Sequence, residues 1–396
     1  MIENLALRLQ GSGELDLRYC AFYSLVQHLQ TRKYLEQYCP LFGKQFDQGA
    51  GLKRSLLNLI TKIYYEPAGP GRETGVWQRV LDRALFKLDS LNPGLEFPFL
   101  SNSDIFHSTF YPLPQQTKGV RGLKRFITVY DLIPVLHPQY FEFNEDHLVK
   151  NVVESIGPDD WVLAISQSTK DDLCNFTQID PSCVIVTPLA ASETFWQCLD
   201  AEQVAAVLGK YKIPDDPYIL SLCTLEPRKN ISQTIRCFVQ MVREQNINDL
   251  NLVLVGTKGW DFDHIFNEID HASLRKRIIV TGYLPDEDLA PLYSGAMMFV
   301  YPSFYEGFGL PPLEAMQCGV PVVTSNTSSL PEVVGDTGIM VTPDDGDALA
   351  QAMYDIYRKP SLRESMSIKS LERAKLFSWE RCAQQTIRAY KLGVDS

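Results

Sequence analysis

The second half of the chain alternates short apolar runs with longer segments of helical periodicity. The apolar runs predict six strands, at Tyr218–Leu225, Leu250–Gly256, Arg277–Tyr283, Met297–Pro302, Pro321–Ser325 and Gly338–Val341. The segments between them predict four helices, at Ile231–Arg243, Asp286–Ala296, Pro312–Gln317 and Gly346–Tyr357. Such alternation is typical of a parallel sheet that is covered by helices on both faces.

The first half shows the same alternation in a less regular form. Its strands are predicted at Glu14–Leu25, Asp104–His107, Phe126–Ile133, Trp161–Ser166 and Val184–Leu189. Its helices are predicted at Ser24–Gln37, Leu52–Tyr64, Val76–Leu91, Asp146–Ser155 and Ser168–Phe176. Both halves are therefore of the α/β class.

The boundary between the halves is predicted near Ala190–Ala201, before a helix at Glu202–Tyr211. A long amphipathic helix at Trp379–Leu392 follows the second sheet. We predict two Rossmann-like domains with parallel sheets that face each other across a cleft. The first comprises residues 1–195 with the returning helix 379–396, and the second comprises residues 196–378. This architecture does not specify a function.

Composition excludes several classes of protein. No apolar run approaches the length of about 18 residues that a membrane helix needs, and the N-terminus lacks the pattern of a signal peptide. Nine cysteines without a C-x-x-C pair and six histidines without ligand spacing predict neither disulfides nor a metal site. The net charge of −11 argues against nucleic-acid binding. These features together predict a cytoplasmic protein.

Charge is unevenly distributed along the chain. Residues 1–125 carry 16 basic and 11 acidic side chains, a net of +5, and the remainder carries 21 and 37, a net of −16. The densest basic run is Lys118–Arg125. It is interpreted either as a solvated loop before a strand or as a surface that faces an anionic acceptor or membrane headgroups. The second interpretation predicts peripheral contact with the inner face of a membrane through the N-terminal domain.

The segment Tyr301–Met316 has the composition of a ligand-binding loop that leads into a helix. It follows an apolar strand, and Pro311 and Pro312 suit the first turn of a helix. Glycines in the loop allow close approach of a ligand, and the amides of a helix start favour a phosphate. Glu306 is predicted on the loop and Glu314 one turn inside the helix. Two such carboxylates can bind hydroxyls at opposite ends of an elongated ligand, as in a nucleoside diphosphate sugar.

Two adjacent cations, Arg228 and Lys229, follow the first strand of the second half. The carboxyl ends of strands are where open α/β sheets bind ligands. A guanidinium fork beside an ammonium group suits a pyrophosphate. An Arg-Lys pair alone is also compatible with a solvated surface.

Taken together, these segments resemble the retaining family-four glycosyltransferases of the GT-B fold. The resemblance rests on Glu226-Pro-Arg-Lys-Asn230, Val255-Gly256-x-x-Gly259-Trp260, Thr281-Gly282-Tyr283, and Glu306 and Glu314 with seven residues between them. It covers residues 215–390. It continues more weakly through Ile105–Ser108, Thr128–Pro134 and Ala164–Thr169.

The resemblance implies a role for each matching residue. Arg228 and Lys229 would neutralise the donor diphosphate and stabilise the leaving group, Glu306 would contact the transferred sugar, and Glu314 would bind ribose hydroxyls. The remaining donor-binding positions implied are Tyr283, Leu284, Tyr305, Gly307, Phe308, Gly309 and Leu310. Tyr283 and Leu284 would border the base.

The resemblance also implies the type of reaction. The implied reaction is the transfer of a hexose, with mannose the favoured sugar, from a nucleoside diphosphate sugar. The implied acceptor is a glycan or a lipid-linked saccharide, in the synthesis of cell-envelope polysaccharide. Configuration would be retained by front-face attack, and neither a metal nor another cofactor would be needed. Many relatives carry a His-Asp pair where this chain has Tyr130-Asp131. The acceptor side of the cleft is therefore assigned to Tyr130, Asp131 and the nearby His107.

The same residues allow three alternatives to this assignment. A glycosidase would use Glu306 and Glu314 as acid and base, but the cation pair would then have no role. Asp261-Phe-Asp263 imitates a metal-binding motif, and its position at a helix start favours capping. An epimerase or a catalytically impaired binding protein of the same fold would keep much of the donor site.

The family's N-terminal domain opens with a strand, a glycine-rich turn and a helix. Here Met1 is followed directly by Ile2–Leu9, which resembles the second half of that helix. We therefore expect the N-terminal sheet to lack its first strand. Either the natural start lies upstream, or the domain is reorganised around residues 42–72.

Overall fold

Two parallel sheets form the framework of the computed structural model, which describes residues 2–20, 29–32, 34, 100–141, 147–259 and 274–396. The first sheet has the order β1-β2-β3-β4 and the second the order β10-β9-β8-β5-β6-β7. The strands of the first sheet are β1 Ile105–Ser108, β2 Lys124–Val129, β3 Trp161–Ala164 and β4 Val184–Val186. Those of the second are β5 Tyr218–Leu222, β6 Asn251–Val255, β7 Ile278–Gly282, β8 Met298–Tyr301, β9 Val322–Ser325 and β10 Ile339–Val341.

Twelve α-helices of the described residues are used below. They are α1 Ile2–Gly11, α2 Ile133–Leu136, α3 His147–Glu154, α4 Gln167–Phe176, α5 Ala201–Lys210, α6 Ile231–Glu244, α7 Asp286–Ser294, α8 Leu310–Gln317, α9 Leu330–Val334, α10 Gly346–Arg358, α11 Pro360–Ala374 and α12 Trp379–Asp395. Side chains cap several of them: Ser166 accepts from the amide of Thr169 at α4, and Asp345 from that of Ala348 at α10. None of these helices is long and apolar enough to span a membrane.

The inner strands of the second sheet are buried on both faces, whereas the edge strands β7 and β10 are partly exposed. Every residue of β6, β8 and β9 is buried, which explains why these strands are continuous apolar runs instead of alternating ones. Strand order reverses between β5 and β8, and both neighbours of β5 run parallel to it. Open α/β sheets bind ligands outside the carboxyl ends of the strands at such a reversal. The loops after β5 and β8 therefore occupy the expected ligand site.

The α/β fold and the six strands of the second half are confirmed, with ends that differ by up to three residues. In the first half, the strand predicted at Phe126–Ile133 ends at Val129. The carboxylate of Asp131 accepts the amide of Ile133, and helix α2 starts there with a proline in its first turn. Helix α11 was not predicted, because its buried face at Met366, Ser370 and Ala374 is too weakly apolar to produce a periodic signal.

The chain forms two compact units. The first comprises residues 1–8, 107–113 and 126–396, and the second comprises residues 9–106 and 114–125. The first unit contains the whole second sheet and all residues of the candidate site. The predicted division into residues 1–195 and 196–378 stays a prediction.

Much of the predicted N-terminal structure lies outside the described residues. The strand predicted at Glu14–Leu25 is described as far as Cys20, and there Tyr19 makes an isolated bridge. Residues 29–32 of the helix predicted at Ser24–Gln37 are helical. The helices predicted at Leu52–Tyr64 and Val76–Leu91 lie outside the described part, so the expectation of a missing first strand stays a prediction.

Helix α12 packs on the first sheet. The ring of Tyr390 lies 4.9 Å from that of Phe126 between centroids, and its hydroxyl lies 2.6 Å from Nδ1 of His107. Gly393 also faces this sheet, since a Cβ added there would come within 2.6 Å of the Phe126 ring. The last helix is thus an integral part of the layer that covers the first sheet.

Candidate functional site

The cation pair lies on a short 3-10 turn, Pro227–Lys229, in the loop after β5. Asn230 closes the turn in a left-handed conformation, with φ of 57°. Its side-chain amide donates to the carbonyls of Pro302 and Pro343, at 3.2 and 2.9 Å. The amide of Phe304 donates to the Arg228 carbonyl at 2.9 Å. These bonds hold the cation turn against the loop that follows β8.

Glu306 lies on that loop and contacts both cations. Its Oε1 is 2.6 Å from Lys229 Nζ, and its Oε2 is 3.0 Å from Arg228 Nη1. Oε1 also accepts from the hydroxyls of Ser303 at 2.6 Å and Tyr301 at 2.8 Å. Only 8% of Glu306 is exposed. The loop carboxylate predicted from sequence is therefore a buried, fully bonded anion.

Charge in this cluster is balanced. Burial alone would raise the pKa of Glu306, but the charges of Lys229 and Arg228 outweigh it and bring the pKa to about 2. Arg228 also donates to Glu226 at 2.7 Å. Burial alone would lower the pKa of Arg228, but the negative charges of Glu306 and Glu226 outweigh this effect and raise the pKa above its ordinary value. Glu306 and Arg228 are therefore both ionised at neutral pH.

Glu314 lies one turn inside helix α8, as its spacing predicts. Its Oε2 accepts from the Tyr293 hydroxyl at 3.0 Å. Burial raises the pKa of Glu314 to about 7, since only this hydroxyl bond opposes it appreciably. Glu306 and Glu314 thus differ in charge state near neutrality: one is an anion held between cations, and the other titrates.

Gly307 brings the loop into contact with the first sheet. A Cβ added to Gly307 would lie 2.5 Å from the carbonyl oxygen of Tyr130, which leaves no space for a side chain. The Gly307 carbonyl accepts from Ser166 Oγ at 2.7 Å and from Thr169 Oγ1 at 3.2 Å. The residues after β2 and β3 therefore position the loop that carries Glu306.

Asp131, two residues beyond the end of β2, lies close to this charged group. Its Oδ1 accepts the Ile133 amide at 3.0 Å, and its Cβ would lie 2.9 Å from a side chain at Gly307. Burial raises the pKa of Asp131, and the nearby charges of Arg228 and Lys229 oppose this rise. The structure thus brings Asp131 together with the predicted donor-site residues.

Two further contacts to helix α4 were missed by sequence reasoning. The Tyr305 hydroxyl donates to both carboxylate oxygens of Asp172, at 2.8 Å each. Glu332 accepts the amides of Gln167 and Ser168, at 2.7 Å each. Both acids lie more than 130 residues from their partners in sequence, so no local pattern could pair them.

The other predicted residues are placed differently. Both ring nitrogens of His107 are engaged, with Tyr390 and with Thr128 at 2.8 Å, and burial lowers its pKa to about 4. Leu284 and Phe308 are buried in the core, so Phe308 can offer a ligand only its backbone, whereas Leu310 is half-buried. Tyr283, in contrast, is 71% exposed.

A metal site is not found within the described part of the chain, where no three His, Cys, Asp or Glu side chains come together. Asp261 and Asp263, the residues of the alternative metal motif, lie outside that part.

Comparison with known sequences identifies relatives over most of the chain. The family described as "Glycosyl transferases group 1" matches residues 207–373. The O-antigen chain mannosyltransferase B of Escherichia coli is 37% identical over 290 residues, which are 73% of this chain and 74% of that protein.

Solved structures share the fold at lower identity. Sucrose-phosphate synthase from Thermosynechococcus elongatus superposes with a TM-score of 0.60 at 23% identity, over 82% of each chain. Anabaena Alr3699/HepE, solved in complex with UDP and glucose, superposes with a TM-score of 0.62 at 16% identity, over 87% of this chain and 97% of its own. These likenesses show the GT-B arrangement.

Proposed function

Since the chain belongs to the glycosyl transferases of group 1 and is a glycosyltransferase, we propose that it transfers mannose from a nucleoside diphosphate sugar to a saccharide with retention of configuration. The acceptor proposed is a glycan or a lipid-linked saccharide of the cell envelope. Support comes from the name of the E. coli relative, an O-antigen chain mannosyltransferase.

The observation that carries the proposal is the buried contact of Glu306 with Arg228 and Lys229 at the strand reversal. A diphosphate that enters here meets Arg228 and Lys229, whose positive charges stabilise the negative charge that develops as the sugar leaves. They supply the positive charge that a divalent metal supplies elsewhere, so we propose a metal-independent reaction. Glu306 then faces the sugar, where positive charge develops at the anomeric carbon.

Retention follows if the acceptor hydroxyl attacks the face from which the diphosphate departs. The bond from the anomeric carbon to the phosphate oxygen breaks, the bond to the acceptor oxygen forms, and the hydroxyl proton passes to the departing phosphate. Glu306 is already bonded to two cations and two hydroxyls. It is thus better suited to orient and stabilise than to act as a covalent nucleophile.

Glu314 completes the donor site as the proposed ligand of the ribose hydroxyls. The ionised carboxylate binds two hydroxyl donors more strongly than the protonated form, so its pKa of about 7 makes this contact pH-dependent. Exposed Tyr283 is proposed to border the base. GDP-mannose is the first donor to test, on family resemblance.

The test is to incubate the full chain, in excess EDTA, with GDP-mannose and other nucleotide sugars, with and without mannobiose or a lipid-linked saccharide. We expect release of the nucleoside diphosphate together with an extended saccharide whose new linkage is shown by NMR to keep the donor's configuration. An epimerised nucleotide sugar without transfer would identify an epimerase, and binding without either product would identify an inactive relative. Loss of activity in EDTA with rescue by Mn²⁺ would refute metal independence.

A further inference from the structure

A half-exposed phenylalanine stands at the carboxyl end of the first sheet. Phe110 follows β1 and is 45% exposed, although its loop is held in place. The Ser108 hydroxyl donates to the Tyr111 carbonyl at 2.5 Å, and the Leu113 amide donates to Ser155 Oγ at 2.9 Å. A large apolar ring on an ordered loop, left open to solvent, presents a face that a ligand can cover.

Phe110 belongs to an aromatic group that reaches the candidate site. Its ring centroid lies 5.2 Å from that of Tyr111 and 5.9 Å from that of Tyr130. The backbone of Tyr130 abuts Gly307, the residue after Glu306, and Tyr130 precedes Asp131. Phe110 is therefore linked through a single intermediate residue to the loop where the sugar is transferred.

Hydroxyl groups accompany these rings. Thr109, the chain neighbour of Phe110, and Tyr130, its ring partner, both carry hydroxyls and line one small pocket. Burial raises the pKa of Tyr130, so its hydroxyl stays protonated and can donate. The residues around the exposed ring thus combine an apolar face with hydroxyl-bearing side chains.

This combination matches the surface of a sugar ring. The C–H bonds on one face of a pyranose carry a small positive charge and are attracted to the negative face of an aromatic ring. The hydroxyls at the rim of the sugar need hydrogen-bond partners when they leave water. A lipid chain requires a different surface, since apolar patches that bind partners commonly cover a few hundred Å². Here the exposed apolar surface is a single ring, and the side chains beside it carry hydroxyls.

We propose that Phe110, supported by Tyr130, is the platform on which the terminal sugar ring of the acceptor stacks. The inference rests on the proposed function, because it takes the acceptor to be a saccharide. It assigns acceptor recognition to the loop after β1, whereas the donor is bound by the loops after β5 and β8.

The test compares the full chain with three variants: Phe110→Ala, Phe110→Trp and the matched control Phe176→Ala. Phe176 is a phenylalanine of similar exposure, 49%, at the far end of α4. With mannobiose as acceptor, we expect Phe110→Ala to raise the acceptor KM about tenfold and to keep the donor KM within about twofold. Phe110→Trp should restore the acceptor KM, and Phe176→Ala should change neither constant.

Saturation-transfer NMR from the aromatic protons of the protein to mannobiose measures binding without turnover. We expect transfer to the sugar in the wild type and in Phe176→Ala, and its loss in Phe110→Ala. Equal transfer in all three proteins, or an unchanged acceptor KM in Phe110→Ala, would overturn the platform. A wild type that consumes no nucleotide sugar would overturn the proposed function alone, and the NMR comparison would still decide about the platform.

Discussion

Replacing Glu306 by glutamine removes the charge that two buried cations share. The carboxylate has a pKa of about 2 in the folded protein, against an ordinary value of 4.5. At about 1.4 kcal/mol for each pH unit, this difference corresponds to roughly 3 kcal/mol of stability at neutral pH. Loss of one partner from a buried ion pair costs about 3–5 kcal/mol, which is the same size. We expect Glu306→Gln to lower the free energy of unfolding by about 3 kcal/mol.

The stabilising contribution of Glu306 should change with pH in a defined direction. Because folding lowers the pKa of Glu306, its contribution is present above pH 4.5 and is lost as the pH falls to about 2. The stability difference between wild type and Glu306→Gln should therefore be full at pH 7 and shrink below pH 4.5. For the ligand-free protein at pH 7, a loss of about 3 kcal/mol corresponds to a decrease in Tm of roughly 4 °C in a chain of this length.

The assay is thermal and denaturant unfolding of both proteins from pH 7 to pH 3, with Glu372→Gln as control. Glu372 pairs with Lys375 at the surface, where an ion pair contributes about 0.5 kcal/mol. Turnover of Glu306→Gln should fall by about 10²–10³, while a nucleoside diphosphate binds at least as tightly as to wild type, because the cations lose an intramolecular partner. A variant as stable as wild type at pH 7, or one with normal turnover, would refute this account of the site.

Three further predictions concern neighbouring residues. Arg228→Ala and Lys229→Ala should each weaken donor use by about 10- to 100-fold in kcat/KM, since each loses a charge-assisted hydrogen bond; normal turnover of the double variant would move the phosphate site elsewhere. Glu314 has a raised pKa, so its contribution to stability is present below pH 4.5 and lost as the pH rises through about 7. Glu314→Gln should then be more stable than wild type at pH 8 by up to about 3 kcal/mol, with no difference in unfolding near pH 4.5. Gly307→Ala should abolish most transfer, because the added Cβ would lie 2.5 Å from a backbone carbonyl oxygen. Gly209→Ala on helix α5 is the control: the space around Gly209 is open, so this change should leave transfer unchanged and raise the Tm slightly.

From sequence alone, the six strands of the second half and the four helices predicted between them could be placed to within three residues of their ends, whereas helices α9 and α11 were not predicted. Strands buried on both faces are continuous apolar runs, and turns and caps have strong residue preferences. The cation pair after β5 and Glu306 after β8 could also be assigned to one edge of the sheet. Parallel strands place their carboxyl ends together, so residues after such strands converge whatever their separation in sequence.

Only the tertiary structure decided which of these groups contact one another. The bonds of Glu306 to Tyr301 and Ser303, of Gly307 to Ser166 and of Tyr305 to Asp172 join residues whose partners no local pattern specifies. The tertiary structure also distinguished the candidates predicted on the first half: His107 forms a hydrogen bond with the last helix, whereas Asp131 lies near the two cations. Side-chain charge and pKa depend on burial and on neighbours a few ångströms away. Those distances are set when distant segments pack together, which is why identical residue types, Glu306 and Glu314, have pKa values of about 2 and about 7.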